Sequence, residues 1–239
     1  MRPEGSDVIS LECSSTVLDT IFFMRRNKIR RIVVTCDSKV AGLFTVDEAI
    51  KRILERSVET TLRDSELKRA VYVSNNDVKE VVRKIVENSV DAVLFRDKII
   101  TEKDVVSSYA WSYEDKIYPL SRKAVTVEGF TKALTAAEIM ARHGIRHLPV
   151  VEEVPLGMLS SRDLVYRYSE KLTLSEDVKQ IMVPFLVFGQ KDHSLREAVE
   201  VMLSRGVGSL VFREESGLYI VTFKDLIKYI YRRYLNELL

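Results

Sequence analysis

The sequence predicts an α/β protein built from four β-α-β-β-α units in tandem. One pattern recurs four times in the 239 residues: an amphipathic helix, a strand, a short turn, a second strand, and a Thr or Ser that opens a second helix. These Thr or Ser residues stand at positions 45, 101, 160 and 222, which gives a repeat of about 60 residues. The strand segments are continuous apolar runs, as is typical of strands covered on both faces.

Each element of the repeat is predicted by its own spacing of apolar residues. In the first repeat, apolar residues recur at helical intervals from Val17 to Met24, and two apolar runs on either side of Asp37-Ser38 predict a strand pair. The other repeats follow the same order, with helices predicted over 78–86, 133–143 and 195–205 and strand pairs over 90–95 with 99–100, 145–151 with 156–159, and 207–212 with 218–221.

The four repeats are expected to form two domains, because a unit of this size buries too little surface to be stable alone. The aromatic segment Tyr109–Lys116, between the second and third repeats, is the best candidate boundary, and its composition predicts a packed connector rather than a flexible linker. We therefore predict one module over 1–112, with repeats at about 8–56 and 66–112, and a second over 113–239, with repeats at about 119–172 and 179–239.

Charge and hydropathy exclude several classes of protein. The chain has 37 Lys and Arg against 35 Asp and Glu, a net charge of +2, so it has no basic stripe of the kind that binds nucleic acid. No uncharged run approaches the roughly 20 residues that a membrane-spanning helix needs. The first seven residues are acidic where a secretion signal would become apolar. We expect a cytoplasmic protein that binds neither nucleic acid nor membrane.

The two cysteines and three histidines predict no metal site. Cys13 and Cys36 lie 23 residues apart without a CxxC pair, whereas a structural zinc site needs about four ligands in tight local pairs. We interpret both cysteines as reduced thiols of an intracellular protein. The sequence also contains no Gly-rich phosphate loop and none of the common hydrolase, metalloprotease or kinase motifs, so we expect no enzyme and no bound cofactor.

The recurring Thr or Ser stands in the strings GLFTVDE, KIITEKD, GMLSSRD and YIVTFKD. One such string is explained by helix capping, in which the hydroxyl is the N-cap and the acid three residues later completes a capping box. Four strings in register, each after a strand pair, favour a ligand. A helix N-terminus suits phosphate, and a carboxylate one turn later can accept both hydroxyls of a ribose. The pattern therefore indicates a nucleoside site.

The strings GMLSSRD and ARHGIRHLPVV resemble the CBS domain, named after cystathionine β-synthase, and the order of elements resembles it along essentially the whole chain. The resemblance implies four CBS units that form two tandem Bateman modules. It also implies that adenosine-containing ligands (AMP, ADP, ATP or S-adenosylmethionine) bind in clefts between paired units. The resemblance further implies that this chain regulates a partner rather than catalyses a reaction.

The resemblance also implies which residues of this chain bind the ligand. Three repeats hold a complete pair of hydroxyl and ribose-binding acid: Thr101 with Asp104, Ser160 with Asp163, and Thr222 with Asp225. The first repeat departs, because Glu48 occupies the acid position and its extra bond shifts the carboxylate by about 1.5 Å. The basic positions near phosphate hold Arg31, Arg146 and His147, and the apolar positions beside adenine hold Val125, Thr126 and Pro149. Surface charge explains Arg146 equally well, and core packing explains Val125, Thr126 and Pro149 equally well, whereas a phosphate contact is favoured for Arg31 and His147.

The expected function is an adenine-nucleotide-binding regulatory module that senses its ligand and modulates an unidentified partner protein. The alternative is a structural or interaction protein with empty clefts that acts through homodimerisation. A homodimer is expected in either case, because the last helix, predicted over Phe223–Leu239, carries a broad apolar stripe that extends to Leu238. The sequence leaves open which nucleotide binds and how many clefts it fills.

Overall fold

The computed structural model describes residues 1–236 and follows the predicted repeats. The first repeat consists of β1 (Ser6–Asp7), β2 (Ser10–Glu12), α1 (Val17–Arg26), β3 (Arg31–Cys36), β4 (Lys39–Thr45) and α2 (Val46–Leu54). The second repeat consists of α3 (Val78–Glu87), β5 (Ala92–Phe95), β6 (Lys98–Thr101) and α4 (Glu102–Ser108).

The second half of the chain repeats this order. The third repeat consists of β7 (Arg122–Lys123), α5 (Ala133–His143), β8 (His147–Val151), β9 (Pro155–Ser160) and α6 (Ser161–Lys171). The fourth consists of α7 (Leu195–Ser204), β10 (Ser209–Glu214), β11 (Gly217–Thr222) and α8 (Phe223–Asn236). The predicted α/β fold class is confirmed, and in each of the four repeats a strand pair lies between two helices. None of the described helices is long and apolar enough to cross a membrane.

Local sequence explains the turns and the helix starts. Asp37 and Ser38 have φ values of 51° and 62° and close a two-residue turn between the paired residues Cys36 and Lys39. Turns with two positive φ values match the twist of the flanking strands. At Thr45, Thr101 and Ser160 a complete capping box starts the next helix. Each second strand therefore passes directly into a helix, which fixes the hydroxyl and the acid of the motif beside each other.

The chain divides into two compact units, and each combines repeats that are not consecutive. The odd unit consists of Ile9–Ala70 and Val125–Leu186 and contains the first and third repeats, except that their short strands β1 and β7 belong to the even unit. The even unit consists of Met1–Val8, Val71–Ala124 and the chain from Val187 onward, and contains the second and fourth repeats. The predicted modules, 1–112 and 113–239, group consecutive repeats, so each contributes to both compact units. Their boundary stays a prediction.

Helix packing explains why the first and third repeats form the odd unit. Helices α1 and α2 pack against α5 and α6. One apolar core continues through both repeats and includes side chains that are at most 2% exposed, among them Ile21, Phe44, Met140 and Leu148. The first repeat adds the sheet β2-β3-β4 and the third adds the pair β8-β9. The amphipathic helices of these two repeats thus cover each other's apolar faces.

The even unit is organised around α8, which packs against α3 and α4. Its sheets are β1-β6-β5 and β10-β11-β7. Trp111, from the predicted boundary segment, is 7% exposed and donates its indole N–H to the carbonyl of Val106 at 2.8 Å, so this connector is packed as predicted. The buried part of the α8 stripe (Leu226, Ile227 and Ile230) belongs to this core, whereas Leu238 lies outside the described residues. The homodimer stays a prediction.

The prediction that both cysteines are reduced thiols is wrong, because Cys13 and Cys36 form a disulfide. Strands β2 and β3 are parallel, with Glu12 beside Thr35. Cys13 directly follows β2 and Cys36 is the last residue of β3, so the two cysteines lie at the same end of the strand pair. Their Cα atoms lie 5.3 Å apart, within the range that a disulfide needs. The 23-residue separation gave no sign of this pairing, because the pairing depends on β2, a strand of three residues that the apolar pattern does not predict.

Candidate functional site

In each repeat the strand pair places one residue directly opposite the motif hydroxyl. The opposed pairs are Arg31 with Thr45, Ala92 with Thr101, His147 with Ser160, and Ser209 with Thr222. Residues opposite each other in antiparallel strands have Cβ atoms about 4.5–5.5 Å apart. In the first and third repeats, the residue beside the N-terminus of the second helix is therefore basic. In the second and fourth repeats, the residue at that position is small.

The three Asp motifs share one geometry. In the third repeat, Oδ2 of Asp163 accepts the backbone N–H of Ser160 at 2.9 Å and its hydroxyl at 2.6 Å. Asp104 accepts the same two donors of Thr101 at 2.8 and 2.7 Å. The motif acid is therefore a helix cap through one oxygen. Within the part of the chain that the structure describes, Oδ1 of Asp104 and of Asp163 makes no hydrogen bond, so this second oxygen can accept a donor from a ligand.

Asp225 differs from the other two aspartates. Its Oδ2 caps the helix in the same way, accepting the N–H and the hydroxyl of Thr222 at 2.8 Å each. Its Oδ1 accepts a hydrogen bond from the guanidinium of Arg122, which lies on β7. The fourth repeat thus has a complete motif whose second carboxylate oxygen already has a partner. The sequence gave no sign of Arg122, because β7 is a two-residue strand and the contact spans 103 residues.

Glu48 of the first repeat is a buried cap. Its Oε2 accepts the N–H and hydroxyl of Thr45 at 3.0 and 2.6 Å, and the residue is 3% exposed. Burial raises the pKa of this carboxyl, with the nearby charge of Lys68 and the hydrogen bonds of Thr45 acting in the opposite direction. The longer side chain therefore reaches the same capping position as an aspartate would, but within the core.

Asp47, next to this cap, holds a charge network that the sequence analysis did not predict. Arg146 donates its Nε to Oδ1 of Asp47 at 2.9 Å, and Lys68 donates to Oδ2 at 2.8 Å. Burial alone would raise the pKa of Asp47, but the charges and hydrogen bonds of Arg146 and Lys68 outweigh it and lower the pKa to about 2. Arg146, predicted to face phosphate, is therefore bound to a carboxylate of the odd unit.

A cavity of about 200 Å³ lies beside this network in the odd unit. Its polar wall includes Asp47, Glu48 and Lys68, and its apolar wall includes Met140 and Ile145. It is formed by α2, the end of α5 and the start of α6. Among the described residues, no group of three or more His, Cys, Asp or Glu side chains could hold a metal ion.

Of the residues predicted to contact adenine, Pro149 lies in β8, and Val125 and Thr126 precede Val127, which pairs with β8. Val127 donates its N–H to the carbonyl of Pro149 at 3.1 Å and accepts the N–H of Val151 at 2.8 Å. The preceding Val125 is half-buried and Thr126 is exposed, whereas Pro149 is buried. This segment, β8 with His147, and the motif of Ser160 all belong to the third repeat. The structure therefore gathers most of the predicted site residues in one repeat, and it places Thr101, Asp104, Thr222 and Asp225 in the even unit.

Comparison with protein families identifies the repeats. The model of the CBS domain matches residues 1–55, 116–170 and 178–232, which is more than half of the chain. These ranges contain the first, third and fourth repeats and leave out residues 56–115, where the second repeat lies. A protein of Methanocaldococcus jannaschii named "Uncharacterized protein MJ1225" is 21% identical over 95% of this chain and 96% of its own length.

Solved structures have the same fold. The crystal structure of protein MJ1225 from Methanocaldococcus jannaschii, described as a proposed archaeal homologue of g-AMPK, superposes with a TM-score of 0.79 at 18% identity and covers 96% of this chain and 100% of its own. An uncharacterised conserved protein from Pyrococcus horikoshii superposes with a TM-score of 0.63 at 21% identity over 95% of this chain and 99% of its own. At these identities the likeness concerns the fold.

Proposed function

The chain belongs to the CBS domain family, and from this premise we propose that it is a regulatory module that binds an adenosine-containing ligand. AMP, ADP, ATP and S-adenosylmethionine are the candidate ligands, and the module passes the signal to an unidentified partner protein. One observation carries the proposal: in the third repeat, Ser160 lies opposite His147 in the strand pair and donates its hydroxyl to Asp163 at the start of α6.

The chemistry of this arrangement suits a nucleotide. Oδ1 of Asp163 can accept ribose hydroxyls while Oδ2 continues to cap α6. The first N–H groups of α6 and the positive end of its dipole favour a phosphate. His147, opposite Ser160, adds an imidazole that can donate a hydrogen bond to a phosphate. The segment at Val125, which runs along β8, offers apolar surface for the base.

The proposed activity is binding without catalysis. Each motif carboxylate caps a helix by accepting hydrogen bonds, and the proposed contact with ribose is also a hydrogen bond, so neither role involves a chemical step. The output of the module is then a change in how it contacts another protein, with a homodimer as the proposed assembly.

The alternative function is a structural or interaction protein whose sites stay empty and which acts through homodimerisation. The observation in its favour is that all four motif acids already cap a helix, a role that needs no ligand. Under this alternative, adenosine compounds leave the stability of the folded chain unchanged.

A thermal-shift screen of the wild-type chain with AMP, ADP, ATP and S-adenosylmethionine tests the proposal. A ligand at a hundredfold excess over its Kd stabilises the folded chain by about 2.7 kcal/mol, which raises the Tm by several degrees in a chain of this size. We expect at least one of the four to do so, and cytidine monophosphate, which has the ribose phosphate but not the adenine, serves as the control. If none of the four raises the Tm at millimolar concentration, the empty-site alternative is correct.

A further inference from the structure

Asp225 is distinguished from the other motif aspartates by its partner. Asp104 and Asp163 use Oδ2 for the helix cap and leave Oδ1 without a hydrogen bond among the described residues, whereas Oδ1 of Asp225 is held by Arg122. The three hydroxyl and acid pairs are otherwise alike in their distances. The fourth repeat therefore combines an intact motif with an arginine on the atom that a ribose would use.

Strand pairing places Arg122 at this position. Strand β7 runs antiparallel to β11, with Arg122 opposite Ile220 and Lys123 opposite Tyr219, and Ala124 continues the pairing by donating its N–H to the carbonyl of Leu218 at 2.8 Å. Strand β11 ends at Thr222, so the backbone of Arg122 lies near the start of the helix that Asp225 caps.

The two sides of this ion pair differ in exposure, with the arginine facing solvent and the carboxylate largely covered. The Asp225 side chain is 13% exposed, while the Arg122 side chain is 45% exposed. An arginine that is half in water can exchange a surface ion pair for solvation at little cost, since such pairs contribute about 0.2–1 kcal/mol. The contact can therefore open without a rearrangement of the strands that carry it.

We propose that Arg122 is a latch on the fourth-repeat site and sets its affinity below that of the third-repeat site. This inference rests on the proposed function. A ribose that donates its hydroxyls to Asp225 must first displace the guanidinium, and the lost ion pair lowers the affinity for every ligand that is held through ribose. Among residues 1–236, no such competitor is bonded to Oδ1 of Asp163 in the third repeat, so that site fills at lower ligand concentration.

Calorimetric titration with AMP in a chain that carries Asp104→Ala and Asp163→Ala isolates the fourth-repeat site. Adding Arg122→Ala is expected to raise the AMP affinity roughly two- to fivefold, the worth of a partly exposed ion pair. Lys123→Ala is the matched control, because it removes an exposed cation from the same strand without touching Asp225. The gain must disappear when Asp225→Ala is also present, since the two residues act through one contact. Arg122→Gln provides a second variant that keeps a polar side chain.

The outcomes separate the latch from the proposed function. If AMP binds wild type through Asp163 but Arg122→Ala and Arg122→Gln leave the fourth-repeat affinity unchanged, the latch is wrong and the nucleotide module stands. A fall in affinity also overturns the latch, because it means that Arg122 contacts the ligand favourably. If neither wild type nor the Arg122 variants bind AMP, ADP, ATP or S-adenosylmethionine, both proposals fail together.

Discussion

At the scale of single residues, the proposed function gives the motif acid two roles that use different oxygens. One oxygen satisfies the backbone N–H and the hydroxyl at the helix start, which stabilises the fold whether or not a ligand is present. The other oxygen is the proposed acceptor for a ribose. The sequence motif alone cannot separate these roles, because capping and recognition require the same residue types at the same spacing.

The Asp47 network makes a prediction about pH. The pKa of Asp47 falls from its ordinary 3.8 to about 2 in the folded chain, so the ionised carboxylate stabilises the fold above about pH 4 and this contribution is lost as the pH falls toward 2. We expect Asp47→Asn to reduce the free energy of unfolding by about 2 kcal/mol at pH 7 and by almost nothing at pH 2. Urea denaturation across this range measures the difference.

The control for this prediction is Asp192→Asn, which changes an exposed aspartate elsewhere in the chain. Its effect on the free energy of unfolding should be small. A deficit of Asp47→Asn that is as large at pH 2 as at pH 7 would show that the loss comes from packing rather than from the charge network with Arg146 and Lys68.

At the scale of elements, the disulfide links the end of β2 to the end of β3 in the first repeat. A cross-link that closes a loop of this length stabilises a folded chain by about 3 kcal/mol, chiefly by restricting the unfolded chain. We therefore expect a reductant to lower the midpoint of urea unfolding of the wild-type chain. The variant with Cys13→Ala and Cys36→Ala should be as unstable as the reduced wild type and should not respond to the reductant.

Thiol titration of the unfolded, unreduced chain provides an independent check on the disulfide. It should find no reactive thiol before reduction and two afterwards. Two thiols before reduction, or an equal response of the wild type and the double variant to the reductant, would contradict the cross-link.

The elements that could be predicted from the sequence are those long enough to show a periodic pattern of apolar residues. Helices such as α5, predicted over 133–143 and found at Ala133–His143, are long enough for several turns of apolar spacing. Strands β1, β2 and β7 have only two or three residues, so no alternation can mark them. The disulfide and the Arg122 contact depend on two of these short strands, which is why the sequence analysis missed both.

At the scale of the whole molecule, the repeats give each compact unit its own set of candidate site residues. The odd unit contains His147, Ser160 and Asp163, and the even unit contains the motifs of Thr101 and Thr222. In the motifs, each hydroxyl bonds the acid three residues later, because the two need only local structure to meet. Their role in ligand binding stays a prediction. The partners of Arg146 and Asp225 could not be predicted in this way, since they lie 99 and 103 residues away along the chain.

The proposal that Asp163 accepts a ribose is tested most directly by comparing it with a second helix cap of the same geometry. In α7, Glu197 accepts the N–H and hydroxyl of Ser194 at 2.8 and 2.7 Å, much as Asp163 accepts those of Ser160, but it lies outside the ribose motifs. Asp163→Ala and Glu197→Ala should therefore each lose about 1 kcal/mol of helix-capping stability. Only Asp163→Ala removes the proposed ribose acceptor.

The measurement is a calorimetric titration of wild type, Asp163→Ala and Glu197→Ala with whichever adenosine compound raises the Tm most. We expect Glu197→Ala to bind the ligand with wild-type affinity. In Asp163→Ala the ligand affinity of the third-repeat site should fall 10- to 150-fold, because a charged hydrogen bond contributes about 1.5–3 kcal/mol. Equal binding by all three chains would contradict the proposal, because Asp163 would then be a helix cap and nothing more.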